Sequence, residues 1–225
     1  MSNRENKVNE QENLKRVSKI FKKIDFKCLS NAVIGLYSSS SQHHGFDCLS
    51  ISAVAIEFLK RKGIKAELVA GECAWRVDGE SDGGVISHIT KGMSTVVVPN
   101  GSKSYQYHAW IKLNDYWYLD LTTYQFKMKM NALNMDGQNT PVSWAPDFLL
   151  FSKSDLSPFK IVQSSFSSKV MFYKEDESLT KKIKNDENFL SIDLEDVDTL
   201  GSIYQKLKSG EIDQIIGPNG KFSYF

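Results

Sequence analysis

Nowhere in this chain do 18 apolar residues run together, so no segment reads as a membrane-spanning helix. Charge of one sign is not in excess either. The formal net charge of +1 gives no global field that would draw nucleic acid or an acidic membrane surface. Cysteine is scarce: Cys28, Cys48 and Cys73 form no even disulfide framework and no metal-type pair. Free thiols in a reducing compartment are the simpler expectation. The opening stretch "MSNRENKVNEQENLKR" has no apolar core of the kind a secretory signal carries. Cytoplasmic residence is therefore expected, with export by a route that reads no such signal left open. Internal repeats are missing, and low complexity is confined to the four serines Ser38 to Ser41.

What is present suits a globular protein. The 225 residues are 41% hydrophobic and 24% charged, which suits one large domain, or one domain with an appendage. Three regions follow from the patterning. Residues 1–25 include "ENLKRVSKIFKKID", an amphipathic helix with Leu14, Val17, Ile20, Phe21 and Ile24 on one face and basic residues opposite. This region carries a local charge of +3. A basic helix of this kind can lie on a membrane, but a solvated face backing a core stripe is the commoner case. Residues 26–172 form the expected core, and 173–225 an extension packed on it. The stretch from Lys174 to Asp213 has a local charge of −5, opposite in sign to the N-terminal region, so the two ends are candidates to pair.

Within the core, "CLSNAVIGLYSSSSQHHG" reads as a short helix running into a serine-rich loop. A longer helix spans Cys48 to Lys62, with Lys60, Arg61 and Lys62 at the negative end of its dipole and Gly63 placed to end it. "IKAELVAGECAWRV" alternates as a strand does, "DGESDGG" is a turn or loop, and "GMSTVVVPNGSKS" a strand and turn. "YQYHAWIKLNDYWYLDLTTYQF" is the clearest hairpin. Further on, "DFLLFS" and "SKVMFYKED" read as short strands and "DVDTLGSIYQKLKSG" as a helix ending at Gly210.

The hairpin imposes a parity. Tyr107, Ala109, Ile111 and Leu113 alternate with His108, Trp110 and Lys112; Trp117, Leu119 and Leu121 alternate with Tyr116, Tyr118 and Asp120. Successive side chains point to opposite faces. For both apolar sets to share the buried face, odd positions must pair with odd ones, which puts His108 and Asp120 together on the other face. A two-residue turn at Asn114-Asp115 would pair odd with even, so a loop of odd length or a bulge is predicted. His108 and Asp120 are then opposite or diagonal neighbours, within reach of an imidazole–carboxylate hydrogen bond.

Cys48 opens a helix, where backbone amides favour an anion by about 0.3–1 kcal/mol. A thiol with a pKa near 8.5 needs more than that to ionise at neutral pH. An imidazolium beside it would supply the rest, and His108 is a histidine already held by a carboxylate. Nucleophile, base and orienting group make the arrangement of covalent catalysis. Cys28, in an apolar-patterned helix, and Cys73, in a strand, are packing residues on this reading.

These residues also resemble a family. "GFDCLSISAVAIEFLKRKGIKAELVAGE" followed by "YHAWIKLNDYWYLDLTT" is similar to the transglutaminase-like superfamily of papain-fold cysteine enzymes. The shared features are Gly45 before Cys48; Arg61, Gly63, Ile64 and Ala66 at the turn into a strand; His108, Ala109 and Trp110; and Trp117, Leu119, Asp120 and Thr122. The likeness covers roughly residues 42–125. It implies an α+β, papain-like fold with the nucleophile-bearing helix packed on an antiparallel sheet. It also implies a Cys48–His108–Asp120 triad performing acyl transfer through a thioester on a protein or peptide substrate. No cofactor and no metal are implied; some members use calcium, but no acidic loop here justifies carrying it over.

Asp47, directly before the nucleophile, opposes a thiolate unless its side chain caps the helix or turns away. Gln42, six residues before Cys48, has the spacing of the glutamine that papain-like proteases place in the oxyanion hole; the alternative is a loop side chain facing water. Trp110, on the face of His108, is a candidate cleft wall, whereas Trp75, Trp117 and Trp144 read as core. His43 and His44 beside Cys48 raise zinc, but no second cysteine or carboxylate falls at useful spacing. His88 is the one rival base, without a carboxylate partner in the pattern. Two rivals to a thiol-dependent amide hydrolase or acyltransferase remain: a non-catalytic protein-binding module that keeps the fold, and a metal-dependent hydrolase.

Overall fold

The computed structural model describes residues 22–40, 47–79, 84–89, 96–97, 103–104, 107–133, 140–185, 192–216 and 222–224. The basic helix expected over 12–25 lies outside them except for 22–25, which are turn and coil with Ile24 buried. Most of the basic end, residues 1–21, lies outside the described residues, and with it any charge pairing those residues make with the acidic end.

Helix α1 (Phe26–Ser40) begins where Asp25 Oδ1 accepts from the backbone amides of Lys27 and Cys28, which satisfies two of the open donors at a helix start. Helix α2 (Cys48–Arg61) follows. It ends in a left-handed glycine, Gly63 at φ 69°. The Gly63 amide donates to Lys60 O and the Ile64 amide to Leu59 O, the two bonds of a Schellman cap. This tight exit aims the chain straight into β1 (Ala66–Arg76).

β1 is the axis of an antiparallel sheet in the order β2–β1–β5–β6–β7, with β8 also paired to β1. The remaining strands are β2 (Val85–His88), β5 (His108–Leu113), β6 (Trp117–Asp120), β7 (Leu149–Ser152) and β8 (Met171–Glu175). Two short pairs stand apart: β3 (Val96–Val97) with β4 (Lys103–Ser104), and β9 (Gln214–Ile216) with β10 (Phe222–Tyr224). Gly71 pairs with both His108 and Glu175, and Cys73 with both His88 and Tyr173. β8 therefore occupies one edge of β1, while β5 and β2 succeed each other along the opposite edge. Gly71 is where the crowding is greatest: a Cβ there would stand 2.1 Å from the Lys174 carbonyl oxygen.

The hairpin obeys the predicted parity. Ile111 pairs with Leu119, Lys112 with Tyr118 and Leu113 with Trp117. The loop is the three residues Asn114-Asp115-Tyr116, with Asn114 and Asp115 at φ 49° and 63°, the odd length that keeps like with like. The reading fails beyond Leu121. There the chain leaves the sheet and turns through a 3-10 segment (Thr123–Gln125) into helix α3 (Phe126–Leu133). "FKMKMNAL" alternates apolar and polar residues as a strand would, yet forms a helix. Helices α4 (Phe159–Ser164), α5 (Glu177–Lys184) and α6 (Leu194–Ser209) complete the six described.

The alternation read in β1 is not matched by its burial: every residue but Glu67 is buried. The sheet has a core on each face. Ala66, Leu68 and Ala70 join Ala109, Ile111 and Leu119 under α1, α2 and α6. Val69, Cys73 and Trp75 join Trp110, Tyr118 and Phe151 on the other face, with Phe126 and Met130 of α3. From the C-terminal region, Val197, Leu200, Tyr204 and Leu207 of α6 lie in the first of these cores. The proposed start of that region, at 173, falls inside β8, and α6 locks onto the core through Tyr204, whose hydroxyl accepts from the Asp25 amide at 3.0 Å.

Candidate active site

Three elements bring the expected residues together. Cys48 is the first residue of α2, His108 the first of β5 and Asp120 the last of β6. Extended by one pair, the β5–β6 register sets Asp120 opposite Trp110 and makes His108 its diagonal neighbour. His108 Nε2–H donates to Asp120 Oδ2 at 2.7 Å. This fixes the tautomer and leaves Nδ1 as the ring nitrogen with a free lone pair. Nδ1 is buried with no hydrogen-bond partner of regular geometry among the described residues. Cys48 lies close enough to this imidazole for each group to shift the ionisation of the other.

Asp120 is fully engaged. Oδ2 also accepts from the Tyr173 hydroxyl at 2.6 Å, and Oδ1 accepts from the Thr122 amide at 2.9 Å and the Thr122 hydroxyl at 2.8 Å. The two bonds from Thr122 end the strand and start the turn into α3, so the same carboxylate shapes the backbone and orients the histidine. Burial alone would push the Asp120 carboxyl up. The His108 charge, with hydrogen bonds from His108 and Tyr173 and the Lys129 charge, holds it well below the usual carboxylate range instead.

The neighbouring groups move in concert. Burial depresses the imidazolium of His108, but Asp120 and Cys48 outweigh it and raise its pKa. Burial pushes the Cys48 thiol up; hydrogen bonding to His108, the charges of His108 and Lys129 and a backbone bond from Ala109 bring it below its ordinary value. The other two thiols go the opposite way. Burial raises Cys73 well above the ordinary range and Cys28 more modestly. Of the described cysteines, Cys48 alone is shifted toward the thiolate.

The three side chains of the site are almost wholly buried, so the cleft that a Trp110 wall implies does not open around them. Cys48 retains 9% of its exposure, His108 none and Asp120 1%. Asp47 holds the N-cap position without a side-chain capping bond, so capping is not how its charge is kept from the sulfur. Gln42, His43 and His44 lie outside the described residues, as does any oxyanion role for Gln42. Trp110 is on the face of His108 as predicted, its ring stacked at 6.0 Å and 17°, but it is buried in the aromatic core. His88, the rival base, stacks on His108 at 5.6 Å, and its pKa is driven well down by burial and then by Lys129 and His108.

Tyr173 had no signal in the sequence. It bonds Asp120 and accepts from Trp75 Nε1 at 2.7 Å, while Trp75 sets its ring edge-on to His108 at 5.0 Å. Tyr173→Phe removes one donor from Asp120 and strands a buried indole N–H. A loss of about 1–3 kcal/mol in stability is expected, measurable by urea denaturation, together with slower alkylation of Cys48. An unchanged midpoint and unchanged alkylation would show that the bond contributes nothing.

No family model and no curated protein matches this chain. A solved crystal structure of a structural-genomics target is similar to it in fold, with a TM-score of 0.53 over 87% of this chain and 86% of that one, at 14% sequence identity. At that identity the likeness concerns the α+β architecture alone.

Proposed function

We propose that this chain is a thiol-dependent amide hydrolase or acyltransferase of transglutaminase-like, papain-like type, acting on protein or peptide carbonyls. One observation carries the reading: His108 is tied through Nε2 to a buried carboxylate at 2.7 Å, and Cys48, the first residue of α2, lies close enough for its thiol and the imidazole to shift each other's ionisation. Asp120 holds the tautomer and stabilises the imidazolium. The thiol proton passes to His108 Nδ1 and the sulfur attacks the carbonyl carbon, forming a tetrahedral oxyanion. The Cys48 backbone N–H, at a helix start where no intrahelical acceptor exists, is a donor for that oxygen. Collapse breaks the C–N bond as His108 returns the proton to the leaving amine. Water then releases the thioester as an acid, or a second amine releases it as a new amide.

Incubation with a cell lysate, parent against Cys48→Ala, tests this by mass spectrometry. The expected result is a set of peptides with a +1 Da deamidation, a new isopeptide link or a new N-terminus that disappears in the variant. Identical lysates after both treatments favour the protein-binding module instead.

A further inference from the structure

Lys129 lies on α3, on the face that packs under the sheet, and is among the least exposed charged residues described. Its ammonium Nζ has no hydrogen-bond partner among the described residues and sits over the ring of Trp75, 5.4 Å from the centroid. A buried ammonium carries three donors and no acceptor, and a π face satisfies only part of its demand. Asp120 cannot serve as its hydrogen-bonding counter-ion, since both oxygens are occupied by His108, Tyr173 and Thr122. On the same tryptophan, 5.8 Å from its ring, His88 stacks on His108, and its Nε2 is also buried without a partner among the described residues. Trp75 in turn stands edge-on to His108 at 5.0 Å, so one aromatic ring separates the ammonium from the imidazole, and the lysine's charge acts on Cys48, Asp120 and His88.

A buried ammonium whose donors are unmet is costly unless an acceptor reaches it, and an anion meets both needs. We propose that the Lys129 ammonium, with His88 Nε2 on the same tryptophan, is an anion-binding subsite that seats a carboxylate of the acyl donor next to Cys48. The substrates are then amides that carry a carboxylate close to the scissile bond, from an acidic side chain or a free chain end. This rests on the reading of Cys48 as nucleophile and specifies which carbonyls it meets. Lys129 itself is a specificity residue, since it contacts the substrate and takes no part in the proton transfers.

Iodoacetate and iodoacetamide deliver the same carbon to the sulfur and differ by one negative charge, so their rate ratio at Cys48 reads anion recruitment separately from thiolate content. Relative to glutathione at the same pH and ionic strength, the parent is expected to favour iodoacetate by about tenfold or more, the preference of one charge-assisted contact. Lys129→Met should lose most of that preference, and Lys129→Arg should keep it. If Lys129→Met slows both reagents equally, the lysine acts on the thiolate and the subsite is overturned. Should Cys48 prove slow toward both reagents in the parent, the nucleophile reading falls. The subsite is then judged in Cys48→Ala protein by melting with acetate against chloride at equal ionic strength. A rise with acetate that Lys129→Met abolishes sustains it, and no difference between the salts overturns it.

Discussion

Replacing His108 with alanine is expected to slow alkylation of Cys48 by iodoacetamide at pH 6 by about 100-fold. The size follows from thiolate content. A drop of ~100-fold corresponds to about two pKa units, or ~2.7 kcal/mol of thiolate stabilisation. The amides at the start of α2 persist in the variant, but they supply only about 0.3–1 kcal/mol. Burial, which already pushes this thiol up, is no longer opposed by the hydrogen bond and charge of His108. Cys28 and Cys73, both raised, provide internal references in the same digest. In the parent, Cys48 should be modified far ahead of both; in urea all three should react alike. A variant that alkylates as fast as the parent would mean the imidazole does not activate the sulfur, and the enzymatic reading would go with it.

The parts of this site that could be read from the sequence are those set by neighbours in the chain. Alternation over Tyr107–Leu113 and Tyr116–Leu121 forces one register, and that register forces both the odd loop and the His108–Asp120 diagonal. The cap at Gly63 is equally local. Tyr173 is a different matter, because it meets Asp120 across 53 positions of sequence. No periodicity in "SKVMFYKED" distinguishes a tyrosine that bonds a carboxylate from one that fills space. Lys129 was hidden for another reason: Lys-Met-Lys-Met mimics a strand, and only after the Thr122–Asp120 bonds end the sheet does the segment become a helix. Burial on both faces was also out of reach. A strand with one wet face and a strand between two cores differ in what packs on them, and in β1 that comes from α3 and β8 as much as from α2.

Asp120→Asn is expected to be the most destabilising single change among the site residues, costing about 3 kcal/mol or more, as when one partner leaves a buried ion pair. The amide supplies one oxygen where the carboxylate supplied two, so donors now sharing Oδ1 or Oδ2 lose their acceptor. The melting midpoint should fall by about 6–12 °C, at roughly 2–4 °C per kcal/mol for a chain of this size. The pH dependence carries the diagnosis. Asp120 is depressed in the folded state, so its contribution is present above its unfolded pKa near 3.9 and lost as pH falls through the folded value. His108 is raised, so its contribution is complete below about 6.5 and lost as pH rises through the folded value. The gap between parent and variant should therefore be widest between about pH 4 and 6.5 and narrow on either side. The variant also invites His108 to accept from the new amide through Nε2, which moves the ring proton to Nδ1 and removes the base. Cys48 should then show the slow alkylation of an unassisted thiol even where the fold is intact. A gap that stays constant across the pH range would mean that Asp120 acts by packing alone, with no ionised pair in the native protein.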